Sequence, residues 1–393
     1  MAKCKVFSWP GSWPNEVNDL PDLELLALTD DQLREMIHQN MRAQWHATGG
    51  RVNYLSAGDP AMWRDWIRMQ ALYTVRTSLG MQPLVVEGYA DMLRRLRSAA
   101  HITAKDIGPL GYVRLTRIAY EVFLGFRREL GEEGAHLRLR VGMASPFDWG
   151  ALVNNYVVGL DGFVQAWVNE VKEILEFVDP NDIILSYESP FGQIVTALAR
   201  LVGLGHKFAH YSAGILQKVL AELPPNIHLS LHPCWGDYQS ASMIEGLLLW
   251  LVDLVFGRRA PRMKAKWCAR AMKLAAKIQS TKAIATFVNP LQRVAGTRLK
   301  EVLLNIAAGS APLSQKSSAY FGLRWLVLWH GVEYIAGICR VGQSFQEVQQ
   351  VRRLIEHIIG YNFDGFGPTC GLARCTEDEA HKVVRQARRL CDE

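Results

Sequence analysis

Between Leu254 and Lys300 the chain has no aspartate or glutamate, yet it carries twelve lysines and arginines there. A stretch so one-sided is not an ordinary mixed surface. It reads either as a solvated basic helix on an insertion or as a patch for an anionic ligand or surface. No aromatic stacking pattern or nucleic-acid motif accompanies it, so nucleic acid is not an expected partner. Long hydrophobic runs are also missing. The most apolar stretch, Gly246 to Phe256, is broken by Asp253 and is too short to span a bilayer. It reads as a buried helix, and an interface in a homo-oligomer is one place that would bury it. The seven cysteines are odd in number and lack the dense spacing of a disulfide scaffold, which points to free thiols in a reducing cytoplasm. The segment Met1 to Trp9 has neither the apolar core nor the cleavage site of a secretory signal, so a cytoplasmic location is the expectation.

What is present is ordinary globular composition, 49% hydrophobic and 21% charged over 393 residues, enough for one large core. Short apolar stretches alternate with longer helical ones, which marks a parallel α/β fold. Eight stretches read as strands: Cys4–Trp9, Val52–Ser56, Leu137–Ala144, Ile183–Tyr187, Ile227–His232, Ala283–Val288, Trp325–Trp329 and Phe363–Thr369. Each runs into a loop rich in Gly, Pro, Ser or Asn. Asp161 to Val178 carries Phe163, Trp167, Val171, Ile174 and Val178 on one helical stripe, and Asp179-Pro-Asn-Asp182 stops it. Thr376-Glu-Asp-Glu379 is a capping box that opens the last helix. Eight strands followed by helices predict a TIM (β/α)8 barrel, with extra N-terminal helices after the second strand. No repeat, low-complexity tract or linker forces a second domain. Residues 1–393 therefore read as one barrel, with residues 237–281 as a helical insertion after the fifth strand.

In such a barrel the chemistry sits at the C-terminal ends of the strands. The fifth stretch ends His232-Pro-Cys234, and the eighth ends at Cys370. Residues i and i+2 of a strand face the same way, so His232 and Cys234 can both look into the mouth. One imidazole and two thiols suit zinc and leave a position open. On spacing alone the competing reading is a pair of buried structural cysteines. Other strand-end groups are candidates for substrate. Glu188 would orient an amine or serve as general acid/base, or stand as an ordinary solvated glutamate at its strand end. Asp237 would orient a zinc ligand or cap the next helix. Ser12, Asp59, Asp148 and His330 are candidate substrate contacts at other strand ends, with a satisfied core histidine as the other reading of His330, and Arg374 would meet a substrate carboxylate bidentately or salt-bridge within the barrel.

His232-Pro-Cys-Trp-Gly-Asp237, followed far downstream by Cys370-Gly-Leu-Ala-Arg374, resembles the catalytic barrel of cobalamin-independent methionine synthase and its single-barrel relatives. Gly11-Ser-Trp-Pro14, Ser145-Pro146 and Ile184-Leu-Ser-Tyr-Glu188 resemble that superfamily's strand-end motifs in the same order. The superfamily also contains uroporphyrinogen decarboxylase. The resemblance implies zinc on His232, Cys234 and Cys370, with a glutamate from the sixth strand as the fourth ligand. The sixth stretch ends Phe287-Val-Asn289-Pro290 and has no acid, so Asn289, Glu245, water or substrate would stand in its place. The implied activity is zinc-dependent activation of a small-molecule thiol for transfer of a methyl or alkyl group from a donor. Two alternatives stand beside it. One is a lyase or decarboxylase of the same superfamily, cleaving a C–S or C–C bond; the other is a non-catalytic barrel subunit that docks through the basic segment.

Overall fold

A computed structural model describes residues 6–7, 13–14, 28–58, 107, 109–154, 160–235, 248, 252, 261–278, 280–306, 316–369, 371–372 and 375–393. Eight parallel strands form one sheet: β1 (Val6–Phe7), β2 (Tyr54–Ser56), β3 (Arg138–Ala144), β4 (Ile183–Glu188), β5 (Leu229–His232), β6 (Leu299–Asn305), β7 (Glu333–Cys339) and β8 (Gly365–Pro368). Their order is β1-β8-β7-β6-β5-β4-β3-β2. The first strand lies beside the last, with Val6 opposite Gly365, so the sheet has curled round on itself as a TIM-like barrel requires.

The helices α1 (Asp30–Thr48), α2 (Tyr112–Leu130), α3 (Pro146–Asn154), α4 (Asp161–Ile174), α5 (Pro190–Arg200), α6 (Gly205–Ala221), α7 (Pro261–Ile278), α8 (Thr281–Ala295), α9 (Phe345–Ile359) and α10 (Glu377–Asp392) lie between and after the strands. Local chemistry explains several boundaries. Thr376 and Glu379 close the expected capping box, with Glu379 N donating to Thr376 Oγ1 at 3.3 Å and Thr376 N to Glu379 Oε2 at 2.9 Å. The stripe Phe163, Trp167, Val171 and Ile174 of α4 is buried, as its spacing predicts. Glu170 of α4 serves a second helix. It accepts from Leu110 N, Tyr112 N and Val113 N at 2.5 to 3.0 Å, satisfying orphan donors where α2 begins.

Six of the eight expected strands are strands. The sixth and seventh are not where the sequence suggested. Ala283–Val288 lies inside α8, and Trp325–Trp329 is the end of a 3-10 turn (Phe321–Trp325) and the loop after it. The physical reason is burial. The α8 helix is covered by α5, α6 and the 3-10 turn, so Ala283, Ile284, Ala285, Phe287 and Val288 are all buried. A helix buried on most sides shows a continuous apolar run, which periodicity cannot separate from a buried strand. Gly322 is what lets the turn lie so close. A Cβ there would meet Lys282 N at 2.0 Å. The β5–β6 connection carries helix α7 ahead of α8, inside the segment expected to hold a helical insertion.

Candidate metal centre

The interior of the barrel is polar where β3, β5 and β6 meet. Arg140 Nη2 pairs with Glu301 Oε1 at 2.6 Å, Arg140 Nη1 donates to Ser230 Oγ at 3.0 Å, and Ser230 Oγ donates to Glu301 Oε1 at 2.8 Å. The Arg140 and Glu301 side chains are 1% and 0% exposed, so the triangle is sealed from water. These contacts fix which face of each strand looks inward. Ser230 points into the barrel, so His232, two residues on, points the same way one layer nearer the mouth. Glu188 is the register partner of His232 across β4–β5 and shares that direction. Gly142 makes room for it. A Cβ at Gly142 would stand 2.6 Å from Glu188 Oε1, so the carboxylate leans over β3 at a place only glycine leaves open.

His232 is 3% exposed, and its Nδ1 has no hydrogen-bond partner among the described residues. A buried ring nitrogen without a partner is costly unless something else takes it. Cys234, 4% exposed and a free thiol, accepts from Asn305 Nδ2 at 3.6 Å. Asn305 ends β6 and is 1% exposed, and its own Oδ1 is without a partner among the described residues. Ser186 Oγ, opposite both Gly142 and Ser230 in register, is in the same condition. The C-terminal ends of β4, β5 and β6 thus present an imidazole, a thiol, an amide and a carboxylate.

Other expected site residues fall elsewhere. Asp148 is in the first turn of α3 and wholly buried. It accepts from Ser145 Oγ, from Ser189 Oγ at 2.8 Å and from Phe191 N at 2.6 Å. It therefore fastens the loop after β3 to the loop after β4 and is not placed to meet a substrate. Burial raises its pKa to about 7, with the three donors pulling the other way. His330 is exposed in the turn before β7, at the N-terminal end of that strand, and so at the opposite end of the barrel from His232. It was expected at the mouth because the seventh strand was placed too early. Asn289 lies on α8 and ties down the 3-10 turn, with its Nδ2 donating to Trp325 O at 2.7 Å and its Oδ1 accepting from Val327 N at 3.0 Å. It is not a stand-in ligand. Ser12, Asp59, Asp237, Glu245, Cys370 and Arg374 lie outside the described residues. Thr369, the residue before Cys370, is buried and donates its N–H to Cys339 O at 3.2 Å, continuing the β7–β8 pairing to the mouth.

No protein-family model matches the chain, and no curated protein matches it in sequence. Solved structures do match in shape. A B12-independent methionine synthase from Shewanella sp. W3-18-1, in complex with selenomethionine, superposes with TM-score 0.53 at 10% identity, covering 100% of this chain and 98% of that one. A methyltransferase from Methanosarcina mazei corresponds more loosely, with TM-score 0.42 at 12% identity, covering 100% of this chain and 95% of that one. The chain has a methionine synthase-like barrel fold. The glutamate that the resemblance implies for the sixth strand was expected near Asn289, which lies on α8 and not on a strand. The true β6 does carry an acid, Glu301, but Arg140 and Ser230 occupy its carboxylate inside the barrel. At the mouth end of the same strand stands Asn305.

The donors fit zinc in kind. An unpartnered buried imidazole nitrogen and a thiol two residues on are donors of the kind zinc takes. Among the described residues alone, no group of three or more His, Cys, Asp or Glu is placed to hold a metal. Two other cysteines sit in the core. Cys339 and Cys391 are buried, and burial pushes the Cys339 thiol far up from its ordinary pKa.

Proposed function

We propose that this methionine synthase-like barrel holds zinc through His232, Cys234 and Cys370 and transfers a methyl or alkyl group to a small-molecule thiol. The observation that carries the reading is the buried Nδ1 of His232, which has no protein partner among the described residues and sits beside a thiol at the catalytic end of the barrel. When bound there, zinc would lower the pKa of a substrate thiol in its open position and make it a nucleophile near neutral pH. The protein's own groups do the rest. The Asn305 amide donates to Cys234 Sγ and steadies negative charge on that sulfur. Glu188, held over Gly142 beside His232, is positioned to orient a substrate amine or to hold a proton. The Arg140–Ser230–Glu301 triangle closes the barrel beneath His232 and denies water that route. A similar fold was solved with selenomethionine. Amino acids bearing a thiol are accordingly the first acceptors to try, with the corresponding thioether as the product to look for.

The test is metal analysis of the purified full chain. About one zinc per chain is expected, falling at least tenfold in His232→Ala, Cys234→Ser and Cys370→Ser, with helical content unchanged. Asn305→Ala should keep the metal but weaken it about 10- to 100-fold in a chelator titration. A chain that carries no zinc, and turns over thiol and alkyl donor equally well with Cys234→Ser and Cys370→Ser, would rule the proposal out.

A further inference from the structure

The sector built from α5, α6, α8 and the 3-10 turn is a single packed unit, and α7 leads into it. Its surface is chemically unlike the rest of the barrel. From Pro190 to Ala221 there is no acidic residue. From Leu254 to Val332 the one acid is Glu301, which is buried in the barrel against Arg140. Fourteen lysines and arginines lie in that second span. The same sector exposes large apolar side chains. Leu201, Val202 and Leu204 stand out from the α5–α6 turn at 57%, 71% and 48%. Phe321 and Trp325 do so from the 3-10 turn at 45% and 61%. Of the eleven exposed large hydrophobic residues among those described, ten fall between Leu201 and Val327; Val341 is the other.

Contacts hold these pieces around the start of α8. Arg200 Nη1 donates to Ser280 Oγ at 3.0 Å, which brings the α5–α6 turn to that point. Lys282 Nζ lies 5.8 Å from the Trp325 ring centroid, which brings the 3-10 turn there. The α7 helix ends two residues before Ser280. Among its described side chains only Ala271 is buried. At 3.6 residues per turn, Lys266, Arg270 and Lys273 share an arc of about 60°, and Met263, Trp267 and Leu274 take the next arc of about 40°. All six are exposed, and Arg270 lies 4.9 Å from the Trp267 ring centroid. In sequence, the apolar run Gly246–Phe256 stands just ahead of this helix.

We infer that this sector docks on an anionic lipid bilayer, with α7 lying in the interface plane. An exposed stripe of Trp, Met and Leu flanked by Lys and Arg is the pattern that buries apolar side chains at the headgroup boundary and draws anionic lipid to the flank. A second copy of the chain is a poor occupant, because a two-fold interface would set basic face against basic face. Among the described residues no helix is long and apolar enough to cross a membrane.

Cosedimentation of the full chain with vesicles tests this. Binding is expected to vesicles of mixed phosphatidylserine and phosphatidylcholine, to be weak to phosphatidylcholine alone, and to fall as salt is added. The triple variant Lys266→Gln, Arg270→Gln, Lys273→Gln should bind about 100-fold more weakly. Trp267→Ala should weaken the binding that survives high salt, and every variant should keep the parent's thermal midpoint. No partition into anionic vesicles at low ionic strength would overturn the inference. So would equal binding by the triple variant, or capture of a soluble acidic protein by this face without any lipid binding.

Discussion

Arg140→Met is expected to destabilise the barrel by about 3–5 kcal/mol, read as a shift of the guanidinium unfolding midpoint. The substitution leaves Glu301 buried at 0% exposure with its cation gone and Ser230 as its remaining partner in the triangle. The loss comes mostly from that stranded carboxylate, because the pair itself gains little over a well-packed apolar pair once desolvation is counted. The double variant Arg140→Met, Glu301→Leu should therefore recover most of the loss. A single variant that costs under about 1 kcal/mol, or a double variant that is no better, would show that the triangle does not carry this part of the barrel. Zinc retention gives a second readout. Ser230 and His232 are neighbours on one face of β5, so on the proposed zinc site loosening the first should lower metal occupancy at the second, and the double variant should restore it.

How far this arrangement can be read from the chain depends on which interactions are local. His232-Pro-Cys234 was legible because alternation along β5 and the proline at its end are local signals, and the barrel places strand ends without further information. Glu188 was legible for the same reason. Glu301 was not. It lies in Leu-Lys-Glu-Val-Leu-Leu-Asn, whose two charges make β6 look like surface, and its burial depends on Arg140, 161 residues earlier. The apolar run that competed with it, Ala283–Val288, owes its composition to α5, α6 and a turn that cover it in three dimensions. Misplacing β6 also hid Asn305, the polar group beside Cys234, and sent the search for a fourth ligand to Asn289. Misplacing β7 moved His330 to the wrong end of the barrel. The acid-free span was plain from the start. What the sequence could not show was that, within it, Met263, Lys266, Trp267, Arg270, Lys273 and Leu274 stand exposed on α7 while the apolar residues of α8 are buried.

Asp148→Asn should flatten the pH dependence of stability between about pH 4 and pH 7. In the folded chain the Asp148 carboxyl is fully buried and its pKa is raised to about 7, against 3.8 for an ordinary aspartate. Between those values the folded form holds a proton that the unfolded form has released. Stability from this group is therefore complete below about pH 4 and is lost as pH rises through 7. Each pH unit in the window is worth about 1.4 kcal/mol, so the loss amounts to roughly 4 kcal/mol by pH 8. Asparagine keeps the shape and cannot ionise. At pH 5 it should cost about 1–3 kcal/mol, because its amide nitrogen faces Phe191 N or the Ser145 and Ser189 hydroxyls as a donor. As pH rises to 8 the wild-type chain should lose stability and the variant should not, so the two unfolding midpoints converge or cross. Parallel pH curves for the two proteins would sink the assignment. The clasp joins the loop after β3 to the loop after β4, which follows Glu188 directly. Ionisation of Asp148 therefore puts charge and strain into the wall that holds this acid over Gly142, and turnover in the wild-type chain should fall above pH 7 more steeply than in Asp148→Asn.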